Sequence, residues 1–87
     1  MDKKMIRSLA IEGKAIIGTE RIFKELRRNT LAEVIAASNC SPDALREARR
    51  LCEAAGRPLE VVDLTAADFG IMCKKPFPIA LLGIPHA

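Results

Sequence analysis

The sequence contains no tryptophan and no tyrosine, and only three phenylalanines among 87 residues. A core must therefore be built from Ile, Leu, Val and Ala. There is one histidine, His86, a single residue from the end. A general base has to be held in place, and a terminal tail holds nothing, so His86 offers no catalytic centre. The three cysteines, Cys40, Cys52 and Cys73, are odd in number and form no C-x-x-C pair. That argues against a disulfide framework and against a zinc site. No G-x-G-x-x-G and no P-loop occur, and Gly18 and Gly70 stand alone. The charged Met1–Lys4 start is not followed by an apolar signal-peptide segment. The longest uncharged stretch, Pro76–Ala87, is too short to cross a bilayer and carries three prolines. The chain reads as cytoplasmic with reduced thiols, without cofactor, metal, membrane partner or small-molecule substrate.

Apolar residues make up 49% and charged residues 29%, the balance of a soluble globular chain. The length fits one domain over residues 1–87. A chain of this size buries roughly 60% of its unfolded surface, which leaves little room for a deep pocket beside a core. That favours a binding module over an enzyme. The net charge is +3. Residues 1–30 carry eight basic and four acidic side chains, residues 31–72 carry four and seven, and residues 73–87 add Lys74 and Lys75. If the two basic ends meet, they make one face suited to a polyanion. Otherwise they are solvated surface.

Helix signals open the chain at about Asp2–Glu12, with Met5, Ile6, Leu9 and Ala10 on one stripe and Gly13 as the stop. Ala15–Gly18 reads as a short buried strand ending at a turn. Thr19 is expected to cap a second helix over about Glu20–Arg28, burying Ile22, Phe23 and Leu26. Arg21, Lys24 and Arg28 then form a basic ridge on another face. Leu31–Ala37 reads as a central strand because it is apolar nearly throughout. Ser41-Pro42-Asp43 starts a third helix, which Gly56 ends. Leu59–Leu64 is expected as a strand. Thr65-Ala66-Ala67-Asp68 resembles a capping box opening a short fourth helix. Lys74–Pro78 is irregular, and Ile79–Ile84 is the last strand. Such alternation predicts an α/β fold, with helices on both faces of a central sheet.

Three loops carry candidate chemistry, and in alternating α/β chains the loops at one end of the sheet converge. The Gly18-Thr19 turn offers free N–H groups and the Arg21/Lys24/Arg28 ridge, which suit phosphate. The Ser38–Ser41 loop offers Asn39, whose amide both donates and accepts. The Gly70–Phe77 segment offers Ile71, Met72, Phe77 and prolines as an apolar surface for an unstacked base, flanked by Lys74 and Lys75. Charge, amide and apolar wedge together fit irregular RNA with splayed bases. The ordinary alternatives are core packing for Ile71 and Met72, a turn role for Asn39 and solubility for the lysines. Cys40 precedes a helix N-terminus, a place that lowers a thiol pKa, but no histidine accompanies it as a base.

Four segments in this order and spacing resemble the kink-turn RNA-binding ribosomal protein superfamily, L-seven-Ae and L-thirty-e. They are Gly13–Lys24 (G-K-A-I-I-G-T-E-R-I-F-K), Val34–Pro42 (V-I-A-A-S-N-C-S-P), Leu51–Pro58 (L-C-E-A-A-G-R-P), and Asp68–Cys73 (D-F-G-I-M-C) with the A-L-L-G-I strand after it. The Asn39-Cys40-x-Pro42 loop looks closer to the L-thirty-e branch. The resemblance implies a three-layer α-β-α sandwich with a four-stranded mixed sheet. It also implies a non-enzymatic component that binds a sharply kinked helix–bulge–helix, most of all in ribosomal RNA, with other ribosomal proteins as neighbours. A protein-interaction module on the same fold is the alternative.

By the resemblance, Gly18, Thr19 and Lys24 match the turn and helix that enter the kinked groove, and Ile71, Met72 and Cys73 match the loop that wraps an extruded base. With the flanking groups, the expected contacts are Gly18, Thr19, Glu20, Arg21, Lys24 and Arg28 on the turn and ridge. Ser38, Asn39 and Cys40 on the middle loop join them, with Ile71, Met72, Cys73, Lys74 and Lys75 on the late one. The chain departs from the L-seven-Ae branch at Glu20-Arg21, where that branch carries Asn-Glu against sheared G·A pairs. It departs again at Lys74, which replaces a family glycine.

Overall fold

The computed structural model describes residues 3–85. The expected helix start at Asp2, the side chain of Ala10, and the tail with His86 lie outside the described residues. The elements are α1 (Lys3–Ile11), β1 (Ile16–Ile17), α2 (Thr19–Arg27), β2 (Leu31–Ala36), α3 (Pro42–Ala55), β3 (Leu59–Val61), α4 (Ala66–Met72) and β4 (Leu81–Pro85). The four strands form one mixed sheet in the order β1-β4-β2-β3. β4 is antiparallel to both β1 and β2, and β2 is parallel to β3.

Strand side chains alternate between the two faces, and each face carries its own apolar cluster. Val34, Ala36 and Leu81 meet Ile22 and Leu26 of α2 and Ala48, Leu51 and Cys52 of α3. Ile35, Leu82 and Ile84 meet Ile6 of α1 and Phe69 of α4. The sheet is therefore the middle layer of a three-layer α-β-α sandwich. Leu31 shares a face with Val34 although they are three positions apart, an odd step that strict alternation would put on opposite faces. The register shift between Leu31 and Glu33 supplies the extra residue that makes this possible.

Several expected boundaries move, each for a local reason. Thr19 is not a cap. It is the first helical residue, and Gly18 takes the cap position with φ 99° and no side-chain hydrogen bond. β3 stops at Val61 rather than Leu64, although the Val62 N–H still donates to Ala36 O. β4 starts at Leu81 rather than Ile79, because the Ile79 N–H is already given to Ala66 O of α4. β2 ends one residue early, at Ala36. The start of α3 is as expected: Ser41 Oγ accepts from Ala44 N, and Pro42 opens the helix. The capping box of α4 is complete, with Thr65 and Asp68 each accepting from the other's backbone N–H.

All four helices end alike. A residue one or two positions past each end has a left-handed backbone: Gly13 (φ 70°), Asn29 (58°), Gly56 (68°) and Lys74 (57°). The N–H that follows donates back to the last turn, from Lys14 to Leu9, Thr30 to Glu25, Arg57 to Cys52 and Lys75 to Gly70. Glycine has no Cβ penalty there and asparagine tolerates the conformation, but lysine is penalised. We expect Lys74→Gly to raise the unfolding free energy by about 1 kcal/mol, and Asn29→Gly to change it far less. Chemical-denaturation midpoints for the two variants check this ordering.

Candidate nucleic-acid interface

The register places the loops. β1 and β3 run in the direction of β2, and β4 runs against them, with Leu81 opposite Ala36 and Leu82 opposite Ile17. The Gly18-Thr19 turn, the Ser38–Ser41 loop, the Val62–Thr65 connection and the approach to β4 therefore share one rim of the sheet. Gly18, Thr19 and the Phe77–Leu81 segment line one cleft of about 240 Å³ there. Two bonds tie the rim together. Ala37 N donates to Ala80 O at 2.9 Å, and Ser38 N donates to Leu64 O at 2.8 Å.

Asn39 has a role that its position alone does not reveal. Its Oδ1 accepts from the Ala66 N–H at 2.8 Å, so it holds the first residue of α4. A backbone N–H can be met only by the amide oxygen, which fixes the orientation of the group and leaves the NH₂ as the donor. The signal in the sequence is the short helix itself: its first N–H groups need partners, and its capping box satisfies only some.

On α2, Glu20, Arg21 and Lys24 are exposed. At 1.5 Å per residue, Lys24 lies about 9 Å along the axis from Gly18. Arg28 is the C-cap of α2, and the chain there enters β2 at Leu31, which pairs with Pro85 at the other end of the sheet. The ridge therefore runs down from the rim, and Arg28 stands at the opposite pole.

The late segment divides. Ile71 is 75% exposed and Phe77 is 50% exposed. With Ala67, Gly70, Lys75 and Pro76–Pro78 they line an apolar groove of about 380 Å³. Met72 and Cys73 are half-buried and pack against the α1/α4 core cluster, so they support the loop from beneath. Lys74 and Lys75 are exposed at the far end of α4. The segment after them returns along the helix to Ile79, whose N–H reaches Ala66 O at 2.9 Å. Gly70 makes this return possible: a Cβ there would lie 2.3 Å from Phe77 O.

The thiols do not behave as the Cys40 expectation had it. Cys40 packs against the α2/α3 core, and its Sγ donates to Ser41 O at 3.7 Å. Burial pushes its pKa up rather than down. Burial raises Cys52 as well, and it raises Cys73 against a weaker opposing effect of Lys75. Among the described residues, no group of three or more His, Cys, Asp or Glu is placed to hold a metal ion. No helix there is long and apolar enough to cross a membrane.

Comparison with known proteins agrees with this architecture. The chain is 29% identical over 79 residues to the large ribosomal subunit protein eL30 of Methanocaldococcus jannaschii, covering 91% of this chain and 72% of that one. It is 30% identical over all 87 residues to eL30 of Methanosarcina mazei, covering 80% of the relative. Among solved structures it superposes with a TM-score of 0.82 on the Giardia lamblia 15.5kD RNA binding protein, at 19% identity, covering 95% of this chain and 69% of that one. A protein of unknown function from Bacillus halodurans matches with a TM-score of 0.82 as well, at 19% identity, covering 94% of this chain and 82% of that one. The profile of the Ribosomal protein L7Ae/L30e/S12e/Gadd45 family matches residues 3–86; the chain belongs to this family, and within it to the L30e branch.

Proposed function

We propose that the chain is an RNA-binding component of a ribonucleoprotein, and that it grips a helix–bulge–helix in ribosomal RNA with the rim at which its three loops meet. The observation that carries this reading is the convergence of three chemistries at that rim. The Gly18-Thr19 turn offers backbone N–H groups, with Arg21 and Lys24 beginning the ridge behind it. Asn39 offers an oriented NH₂. Phe77, which lines the rim cleft, and Ile71, which shares the adjoining groove with it, offer exposed apolar surface on which an extruded base can stack, with Lys74 and Lys75 at the outer end of that groove. The printed names of the relatives, a large-subunit ribosomal protein and an RNA binding protein, support it further. Work on the ribosome would put the protein in the cytoplasm beside other ribosomal proteins.

Glu20 bears on selectivity. It stands in the first turn of α2, where a carboxylate suits the helix dipole but opposes an incoming phosphate. The turn therefore reads the RNA through Arg21 and Lys24 rather than through an Asn-Glu pair. Arg21→Ala and Lys24→Ala should each weaken binding to a kinked RNA. Each should also flatten the plot of log affinity against log salt by about 0.9 for one lost phosphate contact. Affinity that ignored both substitutions and salt, or a stable protein complex with no RNA retarded in a gel, would favour the protein-interaction alternative instead.

A further inference from the structure

We propose that residues 74–78 form a strap that opens and closes over one side of α4, with Lys74 as its hinge. Backbone bonds hold this segment only at its ends, and all of them go to α4. At one end Lys74 N donates to Ile71 O at 3.0 Å and Lys75 N donates to Gly70 O at 2.9 Å. At the other, Ile79 N donates to Ala66 O at 2.9 Å. Among the described residues, residues 76–78 make no hydrogen bond, and Pro76 and Pro78 have no N–H to give. All five side chains from Lys74 to Pro78 are exposed.

The two ends differ. Ile79 is 4% exposed and sits in the α1/α4 core, so its end is an anchor. Lys74 is exposed and takes φ 57°, a left-handed backbone that penalises a lysine. Rotating Lys74 out of this region relieves the strain and breaks the Lys75–Gly70 bond. The strain relieved and the exposed bond lost are of the same order. Little apolar surface is newly wetted, because Ile71 and Phe77, the pair that the strap brings together, are already largely exposed. Opening therefore costs little at the Lys74 end and stops at Ile79. It carries Phe77 O away from Gly70, the close approach that a Cβ would forbid, and it widens the groove that Ile71 and Phe77 line. The strap then gates entry to that groove, a consequence that rests on the RNA reading above.

Lys74→Gly and Lys74→Ala test this as a pair, since both remove the charge and only glycine removes the strain. Without RNA, relaxation dispersion on the isotope-labelled chain should show Gly70, Ile71, Lys75 and Phe77 exchanging at one common rate. The open population should be about fivefold lower in the glycine variant than in the alanine variant, the fold-change of about 1 kcal/mol. Amide hydrogen exchange at Lys75 should slow by the same factor, while that at Ile79 is unchanged. Exchange that is absent, or confined to Lys74 and Lys75 as in a fraying helix end, would overturn the proposal. So would equal open populations in the two variants. With a kinked RNA, association and dissociation should both be about fivefold slower for the glycine variant, at the same dissociation constant. Equal rates for the two variants would remove the gate. If parent and variants all fail to bind RNA while the common exchange persists, the RNA reading falls and the strap stands.

Discussion

Gly70→Ala lowers the unfolding free energy by about 3 kcal/mol and detaches the segment that carries Phe77. The sign is not obvious from propensity. Gly70 lies inside α4, and alanine in a helix interior is favoured over glycine by about 1 kcal/mol. Packing reverses this. The new Cβ would lie 2.3 Å from Phe77 O and 3.2 Å from Phe77 C, where non-bonded heavy atoms prefer about 3.5 Å or more. The obstacle is backbone, and it is pinned on both sides. Lys75 N donates to Gly70 O at 2.9 Å, and Ile79 N donates to Ala66 O at 2.9 Å. Pro76 and Pro78 stiffen what lies between them. Relief therefore requires the whole 75–79 segment to lift off α4, which parts Phe77 from Ile71 and opens their shared groove.

A thermal midpoint lower by roughly 15 °C is expected for a domain of this size, together with at least tenfold weaker RNA binding. Gly83→Ala is the control. Its Cβ would meet Leu31 Cδ1 at 3.0 Å and Ile22 Cγ1 at 3.3 Å, side-chain ends on the α2/α3 face that can give way. It should cost about 1–2 kcal/mol and leave RNA affinity unchanged in the folded protein. If Gly70→Ala were as stable as the parent, or lost stability without losing RNA, the late segment would not be held as described.

The Gly70 contact also marks the boundary of what the sequence discloses. Element types are written in local signals, such as the Ser41-Pro42-Asp43 start of α3 or the Thr65/Asp68 box. These need only a few neighbouring residues, so the reading and the structure agree there. Boundaries set by distant partners are not local. Nothing near Ile79 says that its N–H belongs to Ala66, so the last strand reads two residues too long at its start. Thr19 has the composition of a cap, but Gly18 alone tolerates φ 99° and takes the position. The candidate site divides in the same way. The rim follows from element order alone. Whether Arg28 belongs to it depends on the direction of α2, and whether Met72 and Cys73 open to ligand depends on which side of α4 meets the core. The substituted glycine at Lys74 is legible from the family resemblance, and the structure gives its meaning: the position needs a left-handed backbone.

Asn39→Asp and Asn39→Ala should separate in opposite orders for stability and for RNA. The Oδ1 bond to Ala66 N is a helix N-terminal contact at an exposed position, so Asn39→Ala costs about 1 kcal/mol, the usual loss for such a cap. Aspartate keeps an acceptor in the same place. Its charge gains from the α4 dipole, but Asp68 already puts a carboxylate on Thr65 N of that N-terminus. Repulsion between the two offsets the gain, and the Asp variant should stay within about 0.5 kcal/mol of the parent. For RNA the order reverses. Alanine loses the NH₂ donor, for about tenfold weaker binding. Aspartate loses the same donor and adds a negative charge against the phosphates, for roughly a hundredfold at low salt. Salt divides the two contributions, because charge repulsion between exposed groups is screened while a missing donor is not. Raising the salt should therefore bring the Asp variant up to the Ala variant, relative to the parent, and no further. Thermal midpoints and gel-shift titrations across a salt series check both orders. An Asp variant that binds RNA as tightly as the parent at every salt concentration would confine Asn39 to holding α4 in place.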